Sequence, residues 1–355
     1  MAENRRRSVG GYRAGIGAMK SWLLGVWWLS IGLVLLAGLL LALPALRPQQ
    51  VVWGVTFSAP HARGIGLNWR EAYDALLDDL QARQVRLIAY WPEIEPTEGT
   101  FDFSDLDYQM DRAAEAGAQV VLTVGRKVPR WPECHEPQWV KEMPEQVKQE
   151  NILVMLRAVV NRYIKHPALR AWQLENEPLL DFGICPPEDR DFLAREELLL
   201  RELDPAHPIL ITDSGELNSW LGASKFGDLL GTTMYRTVFS ERTQKHFYYD
   251  YIFPSWGYRL KARLVKLVRG KDVLISELQG EPWGAKPFFE MTSVERRAAF
   301  SPERFLELAA FARRTQLPEA YWWGSEYWYW EKETNNEPAF WEAARGLFNE
   351  GNPEE

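Results

Sequence analysis

From Val51 onward the chain alternates two hydrophobic patterns. Short runs that are apolar at nearly every position are separated by longer stretches whose apolar residues recur three and four positions apart. The short runs suit strands covered on both faces, and the longer ones suit helices with one buried stripe. Predicted strands are Val51–Phe57, Val85–Tyr90, Gln119–Val124, Leu169–Leu174, Ile209–Thr212, Leu229–Met234, Asp272–Ser276 and Glu319–Trp323. Predicted helices are Trp69–Ala82, Phe103–Ala116, Pro144–Lys165, Arg190–Leu203, Arg259–Arg269 and Ser301–Thr315. Gly117 is a stop signal between a helix and the next strand. Between Thr212 and Leu229 the helical pattern is short and poorly defined. Eight strands alternating with helices over about 300 residues predict an α/β fold, a (β/α)8 TIM barrel. An open doubly wound sheet would carry a Gly-rich phosphate loop after an early strand, and the sequence has none.

Upstream the pattern changes. Trp22 to Leu43 contains no formal charge, and Ser30 is its only hydroxyl. As a helix rising about 1.5 Å per residue, this run spans a hydrocarbon core of roughly 30 Å. A cleaved signal peptide is the weaker alternative, because the run exceeds an h-region of about 7–15 residues. Five basic residues, Arg5, Arg6, Arg7, Arg13 and Lys20, precede it, against Arg47 and Arg63 after it. The expected organisation is therefore a cytoplasmic basic tail over 1–20, a transmembrane anchor over 21–46, and a barrel over 47–355. This is the plan of a single-pass cell-membrane protein with an extracytoplasmic barrel.

Charge narrows the partners. With Glu3, those five basic residues give the leader +4 of a net −8, so the remainder carries −12. A body that acidic excludes nucleic acid as the natural ligand. The chain also holds 17 tryptophans, flat faces suited to stacking. Its two cysteines, Cys134 and Cys185, lie in proline-rich loop sequence and are either a disulfide between loops or two free thiols. Two cysteines make no zinc site by themselves.

In a barrel of this kind chemistry belongs at the carboxyl ends of the strands. The fourth predicted strand ends Glu175-Asn176-Glu177-Pro178, which places a carboxyl to protonate a leaving oxygen and an amide to meet a substrate hydroxyl. The seventh ends Ser276-Glu277-Leu278, an acid set directly on a buried apolar run, where a charge is costly without partners or a task. Strands four and seven face each other across a barrel. Two carboxyls about 5–5.5 Å apart suit a double displacement at a glycosidic carbon.

The sequence resembles the clan A glycoside hydrolases, the group holding the family 5, 39 and 42 barrels, over roughly Val51 to Phe348. Asn176-Glu177-Pro178 is similar to the clan's strand-four signature. Tyr90-Trp91-Pro92-Glu93-Ile94-Glu95-Pro96, with Gly99 and Phe101-Asp102-Phe103, is similar to its strand-two segment. The resemblance implies a retaining O-glycosyl hydrolase of a β-linked oligo- or polysaccharide, with Glu177 as acid/base and Glu277 as nucleophile. It implies substrate-site roles for Arg86, which steadies the nucleophile, for Trp91 and Asn176, for Tyr235 on the nucleophile, and for Trp323 under the sugar. Glu326 is a further candidate for sugar hydroxyls. Glu281 and Asp213 are either contacts or caps. Many family 5 members have a His ending strand three; here Val124-Gly125-Arg126-Lys127 stands there, and the two basic residues suit either an acidic or phosphorylated sugar or plain surface charge. No metal or organic cofactor is implied. A transglycosidase of envelope glycan would use the same residues, and a non-catalytic sugar-binding barrel would not need the pair.

Overall fold

The computed structural model describes residues 22–33, 35–36, 50–240 and 242–351. The chain divides into two units, Met1–Leu46 and Arg47–Glu355. In the first, residues 22–33, 35 and 36 are helical. The tail over 1–20 and the rest of the expected anchor lie outside the described residues. Among the described residues no helix is long and apolar enough to cross a membrane.

The second unit is built on eight parallel strands closed into a barrel. They are β1 (Val52–Thr56), β2 (Gln84–Ile88), β3 (Gln119–Val124), β4 (Leu169–Leu174), β5 (Ile209–Asp213), β6 (Leu229–Met234), β9 (Val273–Gln279) and β10 (Glu319–Trp323). A short antiparallel hairpin, β7 (Thr237–Ser240) and β8 (Lys245–Tyr248), rises between β6 and the helix Ser255–Arg269. Every predicted strand is present. The largest difference is at β9, which runs three residues further than Ser276 and so carries Glu277 inside the strand. As the weak pattern after Thr212 suggests, β5 and β6 are joined through a single 3-10 turn, Ala223–Lys225.

Alternation along the strands sorts side chains into two layers. Outward-facing residues join the helices in one large core, where Trp322 stacks on Phe305 at 4.1 Å between ring centroids. Inward-facing Val121, Ala171, Leu210, Leu274 and Tyr321 form a separate apolar plug inside the barrel. Tyr321 needs the space that Gly54 leaves, since a Cβ there would come within 2.7 Å of its ring. Below the plug Arg170 pairs with Glu319. Above it the same strands turn polar, with Arg86 and Gln173 fully buried. That polar layer is the floor of the site.

Candidate active site

Each catalytic candidate is positioned by the strand that carries or precedes it. After β4 the backbone enters the left-handed region twice, at Glu175 (φ 54°) and Glu177 (φ 44°). Such conformations cost a residue with a Cβ on the order of 1–3 kcal/mol and persist where surrounding bonds fix them. Glu175 supplies those bonds. Its Oε1 and Oε2 accept the backbone N–H groups of Arg126 (2.8 Å) and Lys127 (2.5 Å), which clamps the end of β4 to the end of β3. The Glu177 N–H donates to Thr212 Oγ1 at 2.7 Å.

Glu177 and Glu277 meet through two chains of contacts. Thr233 stands opposite Glu277 in the β6–β9 register, at a shift in the pairing, and its hydroxyl donates to Glu177 Oε1 at 3.1 Å. On the other side Arg86 Nη1 donates to Glu277 Oε1 (2.9 Å) while its Nη2 donates to Asn176 Oδ1 (2.8 Å), the neighbour of Glu177. Gln173 Oε1 accepts the Arg86 Nε–H at 2.7 Å. Tyr235 closes the arrangement by donating its hydroxyl to Glu277 Oε2 at 2.8 Å.

The two carboxyls differ in surroundings. Glu277 accepts from a buried cation and a phenol, donors that suit an anion. Among the described residues the Glu177 carboxyl receives only a threonine hydroxyl. Burial pushes its carboxyl well above the ordinary range, and the nearby charges of Glu277 and Glu133 push in the same direction. Burial, with the charge on Glu277, likewise keeps the Tyr235 phenol protonated to well above its ordinary pKa.

Arg86, Asn176, Tyr235, Glu177 and Glu277 are thus brought together. Three further candidates have partners of their own within the fold. Trp91 is fully buried in the outer core: the short helix Trp91–Ile94, with Pro92 in its first turn, folds back off β2 and donates the indole N–H to Glu95 Oε2 at 2.8 Å. Glu95 Oε1 also takes the N–H of Gly99, so this part of the motif locks a turn. Glu326 is buried with both oxygens engaged, by Ser58 N–H at 2.6 Å and Arg130 Nη2 at 2.7 Å. Trp323 has the Arg130 guanidinium 4.2 Å from its ring centroid, which leaves only its opposite face for a sugar. Asp213 caps the turn after β5 through Ser214 N–H and Asn218. Arg126 pairs with Glu136 and Glu145, and Lys127 Nζ donates to the carbonyls of Glu177 and Leu180, so both basic residues are spent inside the fold.

Sequence reasoning missed two residues. Arg130 joins Glu281 to Glu326 beneath Trp323, across separations of 151 and 196 residues that leave no local signal. Glu133 lies in the loop after β3, and burial with the charge on Glu277 pushes its carboxyl up to about 7. Cys134 and Cys185 form a disulfide that ties this loop to the one after β4. Among the described residues no group of three or more His, Cys, Asp or Glu is arranged to hold a metal ion.

With barrel and carboxyls in hand, the fold is defined: the chain carries a closed (β/α)8 barrel that resembles the glycoside hydrolase barrels of clan A. The family 42 model, described as beta-galactosidase, matches residues 68–222, less than half of the chain, and so reaches Glu177 but not Glu277. The beta-galactosidase BglY of Alicyclobacillus acidocaldarius is 25% identical over 139 residues, 33% of this chain and 20% of that protein. The beta-galactosidase Pbg of Clostridium perfringens is 30% identical over 122 residues, 29% of this chain and 18% of that one. The matched segments thus span about a fifth of these relatives' length. The solved beta-galactosidase from the haloarchaeon Halorubrum lacusprofundi superposes with a TM-score of 0.54 at 15% identity, covering 84% of this chain and 58% of its own. The exo-beta-1,4-mannosidase Op5Man5 from Opitutaceae bacterium strain TAV5 gives 0.55 at 15% identity, over 85% and 60%. At such identities the structural likeness is one of fold.

Proposed function

We propose that this protein is a retaining glycoside hydrolase acting on a β-linked sugar, with Glu277 as nucleophile and Glu177 as acid/base. Glu277 attacks the anomeric carbon while Glu177 gives its proton to the departing oxygen. Water then loses a proton to Glu177 and displaces Glu277, so the configuration is inverted twice and retained. The observation that carries this reading is the closed set of contacts in which Thr233 links Glu177 to the register position of Glu277, while Arg86 grips Glu277 and Asn176 together. Tyr235 steadies the nucleophile, Asn176 offers its amide to a hydroxyl, and the Trp323 face opposite Arg130 stacks on the ring. The relatives described as beta-galactosidases make a β-galactoside the first substrate to try. Incubation of the full chain with 4-nitrophenyl β-D-galactoside, followed by NMR before mutarotation, is expected to give the β-anomer first. An α-anomer as first product would exclude double displacement.

The apolar run from Trp22 to Leu43 supports a second proposal, that the barrel is tethered to a membrane and acts outside it. The full chain is then expected to sediment with membranes and resist alkaline carbonate, whereas release by carbonate would rule out a spanning anchor.

A further inference from the structure

The loop after β3 is shaped around one side chain. Glu133 is buried and has φ 74°, in the left-handed region disfavoured for a residue with a Cβ. Its N–H donates to Arg130 O and its carbonyl accepts from Val128 N–H, both at 2.8 Å. Lys127 and Cys134 form a β-bridge across the loop, and the Cys134–Cys185 disulfide with an Ile184 N–H to Pro132 O bond (2.9 Å) fastens it to the β4 loop. Gly183 leaves the room Glu133 needs, since a Cβ there would lie 2.6 Å from the Glu133 Cβ. These devices fix one carboxyl against Asn176.

Asn176 is itself held in one orientation. Its Oδ1 accepts from Arg86 Nη2 (2.8 Å), with Gln173 Nε2 and Thr212 Oγ1 each at 3.3 Å. Its Nδ2 therefore points the other way, and donates to Glu133 Oε2 at 3.2 Å. Glu133 Oε1 has no hydrogen-bond partner among the described residues. The result is a donor and an acceptor side by side, one Arg86 away from the nucleophile.

We propose that Glu133 contacts the substrate and determines specificity: with Asn176 Nδ2 it selects a free hydroxyl at C2 of the sugar whose glycosidic bond is cleaved. This rests on the glycosidase reading. C2 is bonded to the carbon that Glu277 attacks, so its substituent lies beside the nucleophile, where Arg86 presents Asn176. A hydroxyl there accepts from the amide and donates to the carboxylate. A hydrogen at C2 does neither and leaves buried polar groups unmatched, the kind of mismatch that sites built around a hydroxyl reject strongly.

The test compares the full-length wild type with Glu133→Gln and Glu133→Ala, using 4-nitrophenyl β-D-galactoside, 4-nitrophenyl β-D-glucoside and the 2-deoxy counterpart of each. Both variants are expected to lose tenfold or more in kcat/KM on the 2-hydroxy sugar and less than twofold on its 2-deoxy counterpart. Equal losses on both, or no loss on either, would overturn the role of Glu133, because a merely structural residue does not distinguish them. The near-isosteric Gln variant serves if the Ala variant fails to fold. If the wild type turns over none of the four compounds, the hydrolase reading beneath the proposal falls with it.

Discussion

Replacing Glu277 by glycine is expected to lower turnover of 4-nitrophenyl β-D-galactoside by on the order of 10^4-fold or more, about 5.5 kcal/mol of transition-state stabilisation. On the proposed mechanism the reason is covalent: without this carboxylate no glycosyl-enzyme forms, and Thr233, Arg86 and Tyr235 are left organised around an empty place. Glycine also opens room beside the anomeric carbon. Azide is small and anionic, and the freed Arg86 and Tyr235 donors suit it, so added azide is expected to restore turnover. It enters from the Glu277 side and yields the α-glycosyl azide. The deletion strips a fully buried Arg86 of its ion pair, a loss worth about 3–5 kcal/mol for buried pairs, so the variant is also expected to melt earlier. Glu277→Gln keeps a side chain there for the donors and is expected to be equally inactive while staying folded. Full activity in either variant would remove Glu277 from the mechanism.

The second large effect belongs to Glu177→Ala, and it depends on the leaving group. A poor leaving group needs the proton, so alkyl β-galactosides are expected to lose about 10^2–10^4-fold in kcat/KM. A dinitrophenyl group leaves unaided, so its first step survives while the second, lacking a base, becomes slow. A burst of phenolate followed by slow turnover is the expected trace, with azide accelerating the slow phase and giving the β-azide. The pH profile follows from the same environment. Burial and the charges of Glu277 and Glu133 raise Glu177, partly opposed by the Thr233 hydrogen bond and the charge on Lys127. The acid works protonated, so wild-type kcat/KM falls as pH rises through that elevated pKa. The alkaline limb should disappear in Glu177→Ala acting on the dinitrophenyl substrate. Uniform losses on all leaving groups, with the limb intact, would deny Glu177 the acid role.

Much of this site is readable along the chain because barrel strands are buried on both faces and end where chemistry begins. An apolar run followed at once by Glu175-Asn176-Glu177-Pro178, or by Glu277, marks its own importance through the cost of putting a charge there. Arg86 stands out similarly, a charge at the middle of β2. What the chain hides is direction. Trp91 follows a strand and sits in a family-like motif, yet a four-residue helix turns its ring into the outer core. Trp328 and Trp330 also follow a strand end but are buried in the helix Ser325–Asn335. Glu326 opens the same helix and is consumed by Arg130. Pairings between distant loops are equally silent. Nothing near Glu133 says that Gly183 will clear space for it, although two cysteines in flanking proline-rich loops hint that those loops meet.

The most direct test is to trap the intermediate. A 2-deoxy-2-fluoro-β-galactosyl fluoride reacts with a retaining enzyme but slows release of the sugar, and digestion with mass spectrometry locates the attached mass. The label is expected on the peptide containing Glu277, in one equivalent, with activity lost in proportion. A label on Glu177 or Glu133, or loss of activity with no label at all, would contradict the assignment.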